Sequence, residues 1–134
     1  MVTGATGLLG RALTESVPAG NRVIGVTRGV TSGYIDSALQ FMQTNVTNQD
    51  AVNRLFDKFQ FDVVIHAAGE GSVDAVERDP ILGRLSIVQG AENLASISKK
   101  HGARVIYIST NAVFSGDEAP YSEASEMRPL SLYG

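Results

Sequence analysis

The sequence predicts an α/β fold: a Rossmann-like, doubly wound parallel sheet with helices on both faces. Three observations predict it. Strand and helix patterns alternate along the whole chain. A glycine-rich turn, Thr3-Gly4-Ala5-Thr6-Gly7-Leu8-Leu9-Gly10, joins the first strand directly to helical sequence. The run Phe61-Asp62-Val63-Val64-Ile65-His66 is a short apolar segment of the kind buried on both faces of a parallel sheet.

Taken in order, the first strand is only Met1 to Thr3, and Leu8, Leu9, Ala12, Leu13 and Val17 then form an apolar stripe at helical spacing. Pro18-Ala19-Gly20-Asn21 makes a turn into a second strand, Arg22 to Thr27. Residues 28–38, rich in Gly, Ser and Thr, read as a loop, and Leu39 to Asn45 as a short third strand. Thr47 is placed to cap the next helix, with Asp50 completing an approximate capping box. Val52, Leu55, Phe56 and Phe59 are the buried stripe of that helix. The fourth strand follows, and Asp79-Pro80 starts a helix that runs to about His101, with Gly102 as its C-cap. Arg104 to Ser109 is the fifth strand. From Thr110 to Pro129 neither pattern persists, so this stretch is a loop past a strand's C-terminal end, where open α/β sheets place their ligands. A further helix is expected to begin at about Ser131.

Composition narrows the function. The chain has 134 residues, enough for one domain with a core, and a net charge of −3 from 11 basic and 14 acidic residues. It has no basic run or basic-aromatic cluster for nucleic acid and no apolar stretch approaching the ~20 residues of a membrane span. The absence of cysteine excludes disulfides, thiolate ligands and cysteine nucleophiles, and two histidines are too few for a metal cluster. The N-terminus carries the glycine turn where a signal peptide would need a charged and then an apolar segment. The expectation is a soluble cytoplasmic domain that binds a small molecule, with no metal.

The chemistry starts at the glycines. Gly4, Gly7 and Gly10 let the backbone bend and let an anion approach closely, and the following helix points its free amides at that anion. A pyrophosphate suits such a site; a strand–turn–helix that is merely glycine-rich is the alternative. The spacing is Gly-x-x-Gly-x-x-Gly rather than the Gly-x-Gly-x-x-Gly of the commonest dinucleotide fingerprint. At the end of the second strand stands Arg28, where an acidic residue usually holds the 2′-hydroxyl of NAD. Its planar fork suits a 2′-phosphate, which favours NADP over NAD; a solvated loop arginine is the other reading.

Four stretches together resemble the extended short-chain dehydrogenase/reductase family, the NAD-dependent epimerase/dehydratase superfamily, and within it the dTDP-4-dehydrorhamnose reductases. They are Thr3 to Gly10; Asp62 to Gly69 with Ser72 to Glu77 and Pro80; Val105 to Phe114; and Pro120-Tyr121 through Pro129-Leu130-Ser131-Leu132-Tyr133-Gly134. They run in the family's order from one end of the chain to the other.

The resemblance implies NADP or NAD as cofactor. Gly4, Thr6, Gly7, Leu8, Leu9, Gly10, Arg28, Asn45, Val46, Ala67, Ala68 and Gly69 are the implied cofactor-binding residues. Small side chains at Ala67, Ala68 and Gly69 would let the backbone lie against the cofactor ribose. The residue matching Thr110 donates a hydrogen bond to the substrate carbonyl, and Tyr133 matches the tyrosine that protonates that oxygen during hydride transfer. A free phenol has a pKa near ~10, so it needs help to act near neutrality.

The implied function is an NAD(P)-dependent reductase of the 4-keto group of a nucleotide-linked deoxysugar, as in dTDP-rhamnose biosynthesis. The alternatives are an epimerase or dehydratase of the same superfamily, or a non-catalytic dinucleotide-binding subunit such as the regulatory subunit of methionine adenosyltransferase. The partner is the nucleotide sugar, with no nucleic acid or membrane, and a homodimer is open to the intact protein.

Four positions depart from the family pattern. Ala112 replaces an aromatic hydroxyl, Ile87 stands where an asparagine is usual, and Asn45 where an aspartate is common. The family's lysine four residues after Tyr133 would fall beyond Gly134. The chain is therefore expected to be the NAD(P)-binding domain, residues 1–134, of a longer protein, its sheet truncated at both ends and inactive by itself.

Overall fold

The computed structural model describes residues 1–29 and 38–134. The expected loop over 28–38 falls, except at its ends, outside the described residues. Five strands form one parallel sheet: β1 (Val2–Thr3), β2 (Val23–Thr27), β3 (Leu39–Gln43), β4 (Val63–His66) and β5 (Arg104–Tyr107). Their order is β3-β2-β1-β4-β5, so the first strand lies at the centre between the second and fourth, as the fold class requires. Val2 stands opposite Gly25 and Ile65, and Thr3 opposite Val26 and His66. The three central strands thus end level, and the loops that leave them meet at one edge of the sheet.

The core lies between the sheet and two helices, α2 (Gln49–Lys58) and α5 (Gly90–His101). Ile24, Val26 and Val64 pack with Val52, Leu55 and Phe56 of α2 and Leu94 and Ile97 of α5. Each side chain of this size stabilises the fold by roughly 1.5–3 kcal/mol when fully buried. Phe56 meets Phe61 edge-on with ring centroids 5.0 Å apart. No helix among the described residues is long and apolar enough to cross a membrane.

Several expectations are corrected. Helix α1 spans Leu8–Glu15, and it buries Gly10 and Thr14 rather than the predicted leucine stripe; Leu8 is 97% exposed. The helix lies so close to the loop before it that a Cβ on Gly10 would overlap the Gly4 carbonyl, and only small residues fit that face.

Asn48, not Thr47, caps α2. Its side chain accepts the Ala51 amide at 3.0 Å, while the backbone N–H and hydroxyl of Thr47 both donate to Asn45 Oδ1. In β4 the burial alternates: Val64 and His66 are buried, but Val63 is exposed, because α5 packs on the Val64 face only.

The helix expected from Asp79 is broken in phase. A short helix, α3 (Val73–Arg78), precedes it and is capped by Ser72. Asp79 then caps α4 (Pro80–Arg84), Leu85–Gln89 form a π-helical turn, and α5 follows to the left-handed Gly102 at φ +72°. Gly83 packs on Val76 and Gly90 on Val46, so the π turn absorbs an extra residue between two fixed contacts. β5 ends at Tyr107, two residues short of the expectation, and β3 at Gln43. No helix starts at Ser131: Ser131 and Leu132 form a bend, Tyr133 and Gly134 are irregular, and the Gly134 amide donates to the Ser131 hydroxyl at 3.3 Å rather than to a helical carbonyl.

Candidate active site

Two cavities open at the C-terminal edge of the sheet. The first, of about 360 Å³, is lined by Thr3, Gly4, Thr6 and Gly7, by Thr27 and Arg28 after β2, by Asn45, Val46 and Thr47 after β3, and by Ala67, Ala68 and Gly69 after β4. The second, of about 240 Å³, is lined by Leu9, His66, Ile87, Tyr107, Ser109, Thr110 and Tyr133 and by the same Ala67, Ala68 and Gly69. The shared residues make the two one continuous groove.

The first cavity is shaped by backbone contacts. Gly4 has φ +66°, and a Cβ there would lie 2.6 Å from the Ala67 carbonyl oxygen, so only glycine serves. The Ala5 amide donates to the Val26 carbonyl at 3.2 Å, and the Gly7 amide to the Gly4 carbonyl at 2.9 Å, closing the turn. Gly7 is the N-cap of α1 and offers no side-chain acceptor, so the first-turn amides are left to a ligand. A Cβ at Gly7 would meet only the Gly4 carbonyl, at 3.2 Å, and would stand in the cavity. The donors and the space both fit a pyrophosphate.

Not every predicted cofactor residue lines this space. Leu8 faces solvent, Leu9 lines the second cavity, and Gly10 is buried under the loop. Arg28 is exposed at the first cavity, its carbonyl accepting from Gln43 Nε2 at 3.1 Å. The Asn45 oxygen is taken up by Thr47, and the Val46 carbonyl accepts from Asn93 Nδ2 at 3.0 Å.

Under the junction of the cavities sits His66, 1% exposed, with Nδ1 2.7 Å from Thr3 Oγ1. Thr3 Oγ1 also accepts the Ala68 amide at 3.3 Å. Burial pushes the His66 pKa down, which keeps the ring neutral. The ring therefore braces the Ala67–Gly69 turn through Thr3. Sequence reading missed Thr3, His66 and Asn93 as site-shaping residues; the one signal was polar residues on otherwise buried elements.

In the second cavity Thr110 and Tyr133 line the same space, although 22 residues of chain lie between them. The Thr110 hydroxyl oxygen accepts the Ala112 amide at 3.2 Å, capping a short 3-10 turn at Asn111–Val113. Its O–H makes only a long 3.4 Å contact to Asn111 Oδ1 and is free to turn toward a ligand. Tyr107 also faces this space; burial, and then the nearby Tyr133, push its phenol pKa up. Ile87, from the π turn, adds an apolar wall. Among the described residues no group of three or more His, Cys, Asp or Glu could hold a metal ion. The arrangement offers an anion cradle in one half and two hydroxyl groups in the other.

Comparison with known proteins bears on the family and the fold. The family model described as RmlD substrate binding domain matches residues 1–134. Methionine adenosyltransferase 2 subunit beta of Xenopus laevis is 39% identical over 135 residues, which cover 100% of this chain and 39% of that protein. The chain thus spans about two-fifths of the length of the curated relatives it matches. The crystal structure of dTDP-4-dehydrorhamnose reductase from Bacillus anthracis in complex with NADP superposes with a TM-score of 0.80 at 27% identity, covering 98% of this chain and 43% of that one. That of Thermus thermophilus UDP-glucose 4-epimerase with NAD does so with a TM-score of 0.83 at 26% identity, covering 98% and 45%.

Proposed function

The chain belongs to the RmlD substrate binding domain family, within the superfamily of sugar-nucleotide reductases and epimerases, and we propose that it is the dinucleotide-binding part of an NAD(P)-dependent reductase of a 4-keto sugar nucleotide. The observation that carries this reading is the continuous groove in which the glycine loop and the pair Thr110 and Tyr133 share one wall, Ala67 to Gly69. The residues present fit a nicotinamide dinucleotide: amides of α1 and the space at Gly7 for the pyrophosphate, Val46 and Asn45 beside the adenine, and Arg28 for a 2′-phosphate. When bound, the cofactor supplies the hydride. The Thr110 hydroxyl donates to the substrate carbonyl oxygen and polarises it, and the Tyr133 phenol delivers the proton that this oxygen takes up. Ile87 and Leu9 add apolar surface beside these two groups.

The experiment is steady-state oxidation of NADPH with a 4-keto sugar nucleotide by the full-length protein, alongside calorimetric titration of NADPH and NADH. Turnover with tighter NADPH binding is the expected result. Binding without turnover supports the second reading, a non-catalytic regulatory subunit. The specific observations that favour this alternative are the relationship to the methionine adenosyltransferase subunit and an apolar Ile87 in the wall facing Thr110 and Tyr133. No dinucleotide binding at all would remove both.

A further inference from the structure

We propose that Glu77 is a positioning residue: its carboxylate docks the stretch 110–134 onto the body of the domain and thereby sets Tyr133 in the second cavity. The Leu132 amide, next to Tyr133 in the chain, donates to Glu77 Oε1 at 2.7 Å across a separation of 55 residues. Hydrogen bonds of this length to a carboxylate are among the strong ones. Every other hydrogen bond made by residues 110–134, among the described residues, stays within that stretch.

The support under Glu77 is firm. Its neighbour Val76 is 2% exposed and packs against Gly83, and Ser72 caps the turn by accepting the Ala75 amide. This short helix leaves the sheet directly after Ala67–Gly69, the wall that both cavities share. Glu77 therefore connects that wall to the residue preceding the phenol. It lines neither cavity, so it acts on Tyr133 through the backbone and not on a ligand. On the far side, Gly134 sits against the Ala112 carbonyl, closing the loop on itself next to Thr110.

This inference rests on the reductase reading for its effect on rate, but its structural half can be tested without turnover. In the full-length protein, Glu77→Ala should speed hydrogen exchange at the Leu132 amide by about 10-fold or more. It should lower kcat by about 10-fold while leaving dinucleotide affinity unchanged. Glu77→Gln keeps a carbonyl acceptor and should restore both. The proposal is overturned if exchange at Leu132 is the same in wild type and Glu77→Ala. It is equally overturned if Glu77→Gln is as impaired as Glu77→Ala, or if dinucleotide affinity falls in step with kcat. A wild-type protein without turnover would sink the reductase reading alone, and the exchange rates would still decide whether Glu77 docks the segment.

Discussion

Around the glycine loop, backbone presses on backbone: Gly4 against Ala67, Gly10 against Gly4, and the Ala5 amide on the Val26 carbonyl. The stretch that carries Thr110 and Tyr133 is built differently. It holds itself together locally, with Phe114 stacked on Tyr121 at 4.4 Å and the Tyr121 hydroxyl taking the Gly116 and Glu118 amides. Among the described residues its only hydrogen bond to the rest of the molecule is the one to Glu77. The glycine-loop half is therefore part of the fold, and the half with Thr110 and Tyr133 is attached to it. Changes in the first are expected to cost stability, and changes in the second to leave it nearly untouched.

The largest effect should come from the attached half. Tyr133→Phe in the full-length protein is expected to lower the rate of carbonyl reduction by about 10²–10⁴-fold, the usual contribution of a general acid. Its thermal melt should not move. A melt that falls with the rate would mean the two halves are not separable in this way.

Gly10→Ala tests the other half. A methyl group there meets the Gly4 carbonyl, and overpacking of this kind costs about 1–3 kcal/mol. The urea midpoint should fall, and dinucleotide affinity with it; an unchanged midpoint would break the claim that the loop belongs to the fold. Arg28→Ala sharpens the contrast within the nucleotide half, since Arg28 is exposed and makes no packing contact of that kind. We expect NADP binding to weaken by about 1–2 kcal/mol with NAD binding unaffected. Equal weakening of both would make Arg28 a bystander.

The smallest effect is a pH dependence. Burial holds the His66 pKa below its unfolded value of about 6.5, so the folded state refuses a proton that the unfolded chain accepts. The stability is full above that value and is lost as the pH falls through it toward the folded pKa. Melting curves between about pH 7.5 and pH 5.5 should fall more steeply for wild type than for His66→Gln. Parallel slopes would show that another group governs the acid limb.

The sequence revealed what depends on side-chain type at fixed spacing. The three glycines, the apolar run at β4, the Asp79-Pro80 start and the Gly102 stop all lie where their chemistry puts them. Less legible were features set by closeness. The leucine stripe of α1 misled because a helix that touches its neighbour through Gly10 and Thr14 needs no large side chain there. Helix α3 is six residues long, too short for a periodicity to show. The N-cap moved from Thr47 to Asn48 because Asn45 claimed Thr47 first, a competition between neighbours that spacing cannot rank. Thr110 and Tyr133, singled out by family likeness, line one cavity, whereas Thr3, His66 and Glu77 make contacts that join residues far apart in the chain.

The π turn at Leu85–Gln89 bears on how the length of this chain could change. Elsewhere in a buried helix, losing one residue rotates everything after it by about 100° and turns the core face outward. Here the surplus residue is already stored in one wide turn, between Gly83 seated on Val76 and Gly90 seated on Val46. A single deletion inside the turn would convert it to an ordinary α-helical turn and leave Asn93, Leu94 and Ile97 facing the sheet. What would change is the wall that Ile87 gives the second cavity. This segment is a place where the gene could lose a codon and alter the second cavity without repacking the core.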